Sequence, residues 1–344
     1  LIDFNDDEAR ILNCIQDSFP LVQRPFAAIG NSLDLLENDV ITIISNLKKR
    51  RIIRNIAAIF NPRRLGYAMG LVAMAIPDGK IKQAASIINE HPGVSHNYLR
   101  NHFYNMWFTL AEESENRFSS SVKLLAHRVG ASDVLVLETE QILKIGVKLE
   151  IGRKAIKNTF DSKPIHHNTP GSDNGKLSND EKKGIVLLQN DLPMVEEPFS
   201  YLNSKYKYWP NEDRFLEIAA SLQQKGVMRR YAAVLYHMKA GFTHNALTVW
   251  KLPGNNIFTL EPFIRETAVS HLYKRTTYPN KWEYPLFAMI HAKNLSALST
   301  VVQKLSWESG ITDYKVLHSL QELKKQRVVY FSDQFKQWRM QFKN

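Results

Sequence analysis

The strongest constraint on this chain is that it contains one long pattern twice. Val94-Ser95-His96-Asn97-Tyr98-Leu99-Arg100 recurs about 175 residues further on as Val269-Ser270-His271-Leu272-Tyr273-Lys274-Arg275. An Asn-x-Trp follows each, at Asn105 to Trp107 and at Asn280 to Trp282. At the same offset Ile53-Arg54-Asn55-Ile56-Ala57-Ala58-Ile59-Phe60 matches Met228-Arg229-Arg230-Tyr231-Ala232-Ala233-Val234-Leu235, and Leu65-Gly66-Tyr67 matches Ala240-Gly241-Phe242. A period of half the chain means two copies of one unit, each long enough to bury its own core.

Within the first copy, Phe4, Ala9, Ile11, Leu12 and Ile15 fall at helical spacing. A second short helix begins near Arg24-Pro25 and a third covers Leu36 to Arg50, with a strand from Ile52 to Phe60 ended by Asn61-Pro62. Three helices and a strand read as a winged helix-turn-helix. The next segment reads β-α-β-β-α-β: a strand over Tyr67 to Ile76, a helix over Gly79 to Glu90, a hairpin, a helix over Asn116 to Val129, and a strand within Val134 to Leu149. That order is the ferredoxin-like split. The fold expected is therefore α+β, two tandem repeats of a helix-turn-helix followed by a ferredoxin-like domain. The boundaries fall at 1–62, 63–152, a linker over 153–180, 181–237 and 238–344. The linker is placed on a stretch rich in turn formers, Lys163 to Gly175. Glu322 to Phe342 reads as an extra basic, aromatic tail, whose Lys324-Lys325 and Arg327 form either a solvated face or a lip over an anionic ligand.

The hairpin carries the chemistry. Side chains alternate across a strand, so His96, Tyr98, Arg100, His102 and Tyr104 are expected on one face. Two imidazoles, a guanidinium and two phenols are poor core material unless each finds a partner. Their counterparts are His271, Tyr273 and Arg275, with Trp107, Trp282 and His291 nearby. Thr277 and Pro279 stand where the first copy has His102 and Tyr104, so unequal halves are expected. The adjacent His166-His167 lacks the spaced ligands of a metal site and reads as linker surface. His237, Lys239 and His244 likewise read as surface, and Cys14 as core.

Composition narrows the partners. A single cysteine excludes an intramolecular disulfide and a cysteine-rich metal centre. No apolar run approaches the roughly 20 residues a bilayer span requires, so no membrane association and a cytoplasmic location are expected. A net charge of +11 favours an anionic partner, nucleic acid or polycarboxylate.

The strand ending Phe60-Asn61-Pro62-Arg63-Arg64-Leu65-Gly66-Tyr67, between a helix-turn-helix and a ferredoxin-like domain, resembles the Lrp/AsnC regulators. The run from His96 through Arg100 and His102 to Asn105-Met106-Trp107-Phe108-Thr109-Leu110 is narrower. It resembles the sirohaem decarboxylases, an enzyme branch on that fold serving haem d1 and alternative haem biosynthesis. The second copy looks like the partner subunit of that branch, through His271-x-Tyr273-x-Arg275 and Trp282-x-Tyr284-Pro285-Leu286-Phe287-Ala288-Met289-Ile290-His291, giving a fused NirD-NirL type. The resemblance implies AsnC/RAM-type ligand domains and removal of carboxyl groups from two acetate side chains of sirohaem, giving didecarboxysirohaem.

Loss of carbon dioxide leaves carbanion character that a proton must quench, a task for histidine. His96 and His102 are the candidate donors. Arg100 and Arg275 suit the remaining carboxylates, and Tyr98, Tyr104, Trp107, His271, Tyr273, Trp282 and His291 complete the expected binding set. The substrate brings its own iron, so no further cofactor is expected. Partners expected are the substrate, the other half of the chain in a pseudo-dimer, and a second copy in a homodimer. The alternative is a DNA-binding regulator with a small-ligand domain. Against it, Glu37, Asp39, Glu212 and Asp213 open the two recognition helices, where phosphate would have to sit.

Overall fold

The computed structural model describes residues 4–145, 177–236, 244–254 and 257–342. The expected linker up to residue 176, with His166 and His167, and also His237 and Lys239, lie outside the described residues. The first half runs α1 (Asp6–Ile15), α2 (Pro25–Leu33), α3 (Glu37–Lys49), β1 (Ile53–Phe60), β2 (Ala68–Ala75), α4 (Ile81–Glu90), β3 (Val94–Arg100), β4 (Met106–Glu112), α5 (Glu115–Val129), β5 (Asp133–Leu137) and β6 (Thr139–Ile145). The second runs α6 (Asn179–Leu188), α7 (Pro198–Tyr206), α8 (Glu212–Gln224), β7 (Met228–Leu235), β8 (His244–Trp250), α9 (Glu261–Arg265), β9 (Val269–Arg275), β10 (Leu286–Ala292), α10 (Leu295–Ser309), β11 (Tyr314–Lys325) and α11 (Gln334–Met340). Among the described residues no helix is long and apolar enough to cross a membrane.

Like groups with like. One compact unit joins the helix-turn-helix segments of both halves and the other joins the two ferredoxin-like segments. In the first unit the local signals repeat: Asn5 and Ser178 each form a capping box, and Pro25 and Pro198 open α2 and α7 at the position where a missing N–H costs nothing. The Ser178 box starts α6 two residues inside the expected linker. β1 and β7 pair antiparallel. Phe19 donates its N–H to the Tyr231 carbonyl (2.7 Å) and Leu192 donates to that of Ile56 (2.9 Å), so each segment also docks on the other's strand.

In the second unit each half contributes four strands in the expected split order, and the halves then complete each other. The hydrogen-bonded order is β5-β2-β4-β3-β11-β8-β10-β9-β6. The strand over Thr312 to Leu320 is longer than its sequence pattern indicates. Tyr314–His318 of β11 pairs with β8, and its continuation through Lys325 pairs with β3 of the other half. The expected tail residues Glu322, Lys324 and Lys325 are therefore strand residues. The first half does the same: β5 pairs with β2, and after Glu138 the chain continues as β6 on β9.

Each exchanged strand carries one lysine to the end of the other half's short helix. Lys324 Nζ donates to the Asn89 and His91 carbonyls, and Lys144 Nζ to that of Glu266. These are the carbonyls a helix C-terminus leaves without partners.

Alternation sorts the side chains into three cores. Val72, Met106, Phe108 and Leu110 face α4 and α5, and Leu272, Leu286, Ala288 and Ile290 face the second pair of helices. On the helix-free faces Ala73, Trp107, Leu135, Leu247, Val249, Phe287 and Leu317 form a third core from both halves. Gly93 permits the tight entry into β3, since a Cβ there would lie 1.9 Å from the Ala111 carbonyl oxygen.

Candidate active site

Two rows of candidate side chains lie on the helix-free faces, and the ladder fixes their members. On β3, Tyr98 pairs with Trp107 of the third core, so His96, Tyr98 and Arg100 share that side. On β9, Tyr273 pairs with Phe287 of the same core, placing His271, Tyr273 and Arg275 alike. The planar groups stack along each strand. The His96 and Tyr98 rings lie 6.4 Å apart at 19°, those of His271 and Tyr273 6.1 Å apart at 22°. Arg100 lies over Tyr98 at 5.2 Å and Arg275 over Tyr273 at 4.8 Å. A serine precedes each histidine, and its Oγ contacts Nδ1 at 3.0 Å (Ser95) and 2.9 Å (Ser270). The serines are within the repeated motif; their identical place in both copies was the signal for them.

The two arginines also fasten strands. Arg100 donates from one terminal nitrogen to the Leu317 carbonyl (2.8 Å) and Ser319 Oγ (3.1 Å), holding the exchanged β11. Arg275 donates to the Leu137 carbonyl (3.0 Å) and Thr139 Oγ1 (2.9 Å), holding the strand exchanged the other way. Arg100 is 3% exposed. Burial lowers its pKa to about 10, partly offset by Tyr98, so it stays protonated at neutral pH. Its Nε has no hydrogen-bond partner. A buried cation without a carboxylate close by is costly, and an anion brought to it offsets that cost.

His102 and Tyr104 do not continue the row. β3 ends at Arg100, whose N–H donates to the Asn105 carbonyl, and residues 101–105 form the reversal. His102 Nδ1 accepts the Tyr104 N–H (3.1 Å), and its ring meets Trp282 edge-on. Burial, then the charge of Lys315, lowers its pKa. Tyr104 is buried and its hydroxyl donates to Asp133 (2.9 Å). Burial and Asp133 push its pKa up to about 12.

The equivalence with Pro279 is likewise corrected. Arg275 N–H donates to the Pro285 carbonyl, so the counterpart of Tyr104 is Tyr284, whose hydroxyl donates to Asp313 (3.0 Å). Thr277 lies in the longer reversal that this bond closes. Trp107 and Trp282 are buried core side chains with rings 5.3 Å apart, each donating its indole N–H to a tyrosine carbonyl, of Tyr104 and Tyr284. The ladder equates Trp107 with Phe287, while Trp282 belongs to the longer reversal.

The ladder positions beside the rows differ between halves, and of the residues there only Lys325 was singled out by the sequence. Opposite His96 stands Thr109, with Lys325 from the exchanged strand on its other side. Opposite Tyr98 on that strand stands Glu322, which accepts the Tyr98 hydroxyl (3.1 Å) and lies 3.6 Å from Lys325. In the second half Met289 stands opposite His271 and Ile142 opposite Tyr273. His291 is two residues beyond Met289 on the same side; its counterpart by backbone bonding is Ala111.

The helix-turn-helix unit offers a poor DNA surface. Arg24 beside α2 pairs with Glu37 of α3 and, at 2.9 Å, with Glu196 of the other half. Gln23 donates to Asp213 of α8 (2.8 Å). Acidic side chains in the first turns of α3 and α8 are thus taken up by partners within the unit, and they repel the phosphates a recognition helix would have to meet.

Comparison with known proteins agrees. Residues 64–144 and 239–324 match the AsnC-like ligand binding domain, and residues 8–54 match the "Siroheme decarboxylase NirDL-like HTH domain". The chain is 37% identical to the "Siroheme decarboxylase" of Hydrogenobacter thermophilus, over 96% of each chain. Its fold is similar to the crystal structure of the siroheme decarboxylase NirDL, with a TM-score of 0.78, 32% identity and 98% of each chain covered. A second crystal structure of NirDL, in complex with an iron-uroporphyrin III analogue, gives a TM-score of 0.76 at 32% identity, covering 96% of this chain and 97% of that one.

Proposed function

The chain belongs to the sirohaem decarboxylases, carboxy-lyases of the NirDL type, and within that assignment we propose how it works. It removes the carboxyl groups of two acetate side chains of sirohaem, giving didecarboxysirohaem, with no cofactor beyond the substrate's iron. The observation that carries this reading is the buried Arg100, with no carboxylate in ion-pair contact among the described residues, at the end of a stacked imidazole–phenol row. Arg100 and Arg275 hold carboxylates that do not react. Tyr98, whose hydroxyl is given to Glu322, and Tyr273 lie beside the macrocycle.

The bond between the acetate methylene and its carboxyl carbon breaks, carbon dioxide leaves, and the electron pair spreads into the conjugated ring. A histidine of the row, His96 or His271, delivers the proton that turns the methylene into a methyl group. His102, held in the reversal against Trp282, is left out of this role. The enzyme works in the cytoplasm, its two halves pair within the chain, and two chains associate.

Anaerobic incubation of purified protein with sirohaem, followed by mass spectrometry, tests the proposal. Products lighter by one and then two carbon dioxide units are expected without any addition. An absorbance change with no mass change would leave a carrier in place of an enzyme. The regulator alternative is not favoured. DNA binding is expected to be weak, indifferent to sequence and steeply lost with salt; a salt-resistant footprint at one operator would count against this reading.

A further inference from the structure

Each carbon dioxide lost from a carboxylate consumes one proton at the carbon left behind, so two acetates require two. The two rows are not equally equipped to give them. Ser270 Oγ contacts both His271 Nδ1 (2.9 Å) and the Met289 carbonyl (3.2 Å). A carbonyl only accepts, so both contacts are satisfied together when the single hydroxyl proton of Ser270 goes to Met289 and His271 Nδ1 donates to Ser270. Nδ1 then keeps its proton in both charge states, and the proton that His271 can give away sits on Nε2.

Ser95 is not fixed in this way. Its Oγ contacts Thr109 Oγ1 at 2.6 Å with either atom as donor, and Thr109 Oγ1 also accepts the His96 N–H. The hydroxyl chain can run either way, so His96 is not held in one tautomer as His271 is. The β9 face also carries His291 where the first half has Ala111, giving two imidazoles at strand positions of that face against one, His96, in the first.

The walls differ in the same sense. Met289 and Ile142 flank His271 and Tyr273, where the first half sets Thr109, Glu322 and Lys325 around His96 and Tyr98. A carboxylate beside an apolar wall loses hydration, and decarboxylation spreads its charge, so the apolar face favours the reaction.

We propose that decarboxylation takes place at the β9 face, with His271 as proton donor and His291 as the second imidazole that supplies the second proton. The inference rests on the decarboxylase reading and assigns it to one half, the half opposite to the one favoured by the sequence. The first row, with Arg100 and Lys325, holds carboxylates that do not react.

Single-turnover mass spectrometry with sirohaem tests this, alongside an absorbance titration that shows each variant still binds. His271→Ala is expected to lower carbon dioxide release by about a hundredfold or more, at least tenfold further than His96→Ala. His271→Asn, which keeps a donor toward Ser270, should be equally slow. His291→Ala should accumulate the product lighter by one carbon dioxide. Ile142→Glu, which sets a carboxylate opposite Tyr273 as in the first half, should slow both losses. Equal damage from His96→Ala and His271→Ala, or greater damage from His96→Ala, would overturn the assignment. If the unaltered protein binds sirohaem and releases no carbon dioxide, the decarboxylase reading itself falls and the assignment with it.

Discussion

Arg100→Ala is expected to weaken sirohaem binding by about 2–5 kcal/mol, the usual cost of removing one side of a buried charged pair. It should lower the melting temperature as well. The two losses come from different atoms of one side chain. One terminal nitrogen is committed to the Leu317 carbonyl and Ser319 Oγ of the exchanged strand, and the rest of the guanidinium faces the row. Arg100→Lys should recover little, because an ammonium lacks the planar fork that serves two directions at once. An absorbance titration with sirohaem and a thermal melt on the same samples separate the effects. Arg275→Ala should behave alike, since its bonds to Leu137 and Thr139 repeat the arrangement. A variant that melts early yet binds sirohaem as tightly as the unaltered protein would show that these arginines only fasten strands.

Glu112→Ala is expected to cost about 3–5 kcal/mol of stability, as breaking a buried charged cluster typically does. Glu112 and His91 are both fully buried. His91 Nε2 lies 3.2 Å from Glu112, off the line of an ideal hydrogen bond, while Ser121 Oγ donates to it at 2.7 Å and Arg339 of α11 approaches to 3.4 Å. His91 Nδ1 accepts the Gly93 N–H, which puts the ring proton on the nitrogen facing Glu112.

Burial alone would raise the Glu112 pKa, but His91 and Ser121 outweigh it and hold the carboxyl below its ordinary 4.5. Burial lowers the His91 pKa below 6.5 despite Glu112. Both folded values are depressed, so the unfolded chain takes up these protons first as pH falls. Stability should be full above about pH 6.5, decline below it as His91 resists protonation, and fall again below 4.5 as Glu112 is protonated. Urea unfolding at stepped pH measures this; His91→Gln should flatten the first decline.

Much of the fold was legible because the repeat supplied every signal twice. The capping residues, the Pro25 and Pro198 helix starts and the period-two rows of β3 and β9 are local, and the structure keeps them. What was not legible is non-local. Glu322, Lys324 and Lys325 read as a tail beyond the last strand, because their partners, Tyr98, Asn97 and His96, lie more than two hundred positions earlier. The row was carried too far, to His102 and Tyr104, because composition cannot show that the chain turns as soon as Arg100 bonds to Asn105. A constant offset then matched Trp107 with Trp282 across a reversal that is longer in the second half. The ladder gives the correct pairs, Trp107 with Phe287 and Tyr104 with Tyr284. The difference in the walls, Ile142 and Met289 against Glu322 and Thr109, was out of reach for the same reason.

The exchanged strands also bear on how such a protein can change over generations. Glu322 is encoded in the second half yet stands beside the first half's histidine row, and Ile142 is encoded in the first yet stands beside the second half's row. A mutation in either half is therefore tested by the performance of the other. Were the gene cut within residues 153–176, each product would carry a strand that only its mate can seat, so two separated polypeptides would have to be made together and would be inherited as a matched couple.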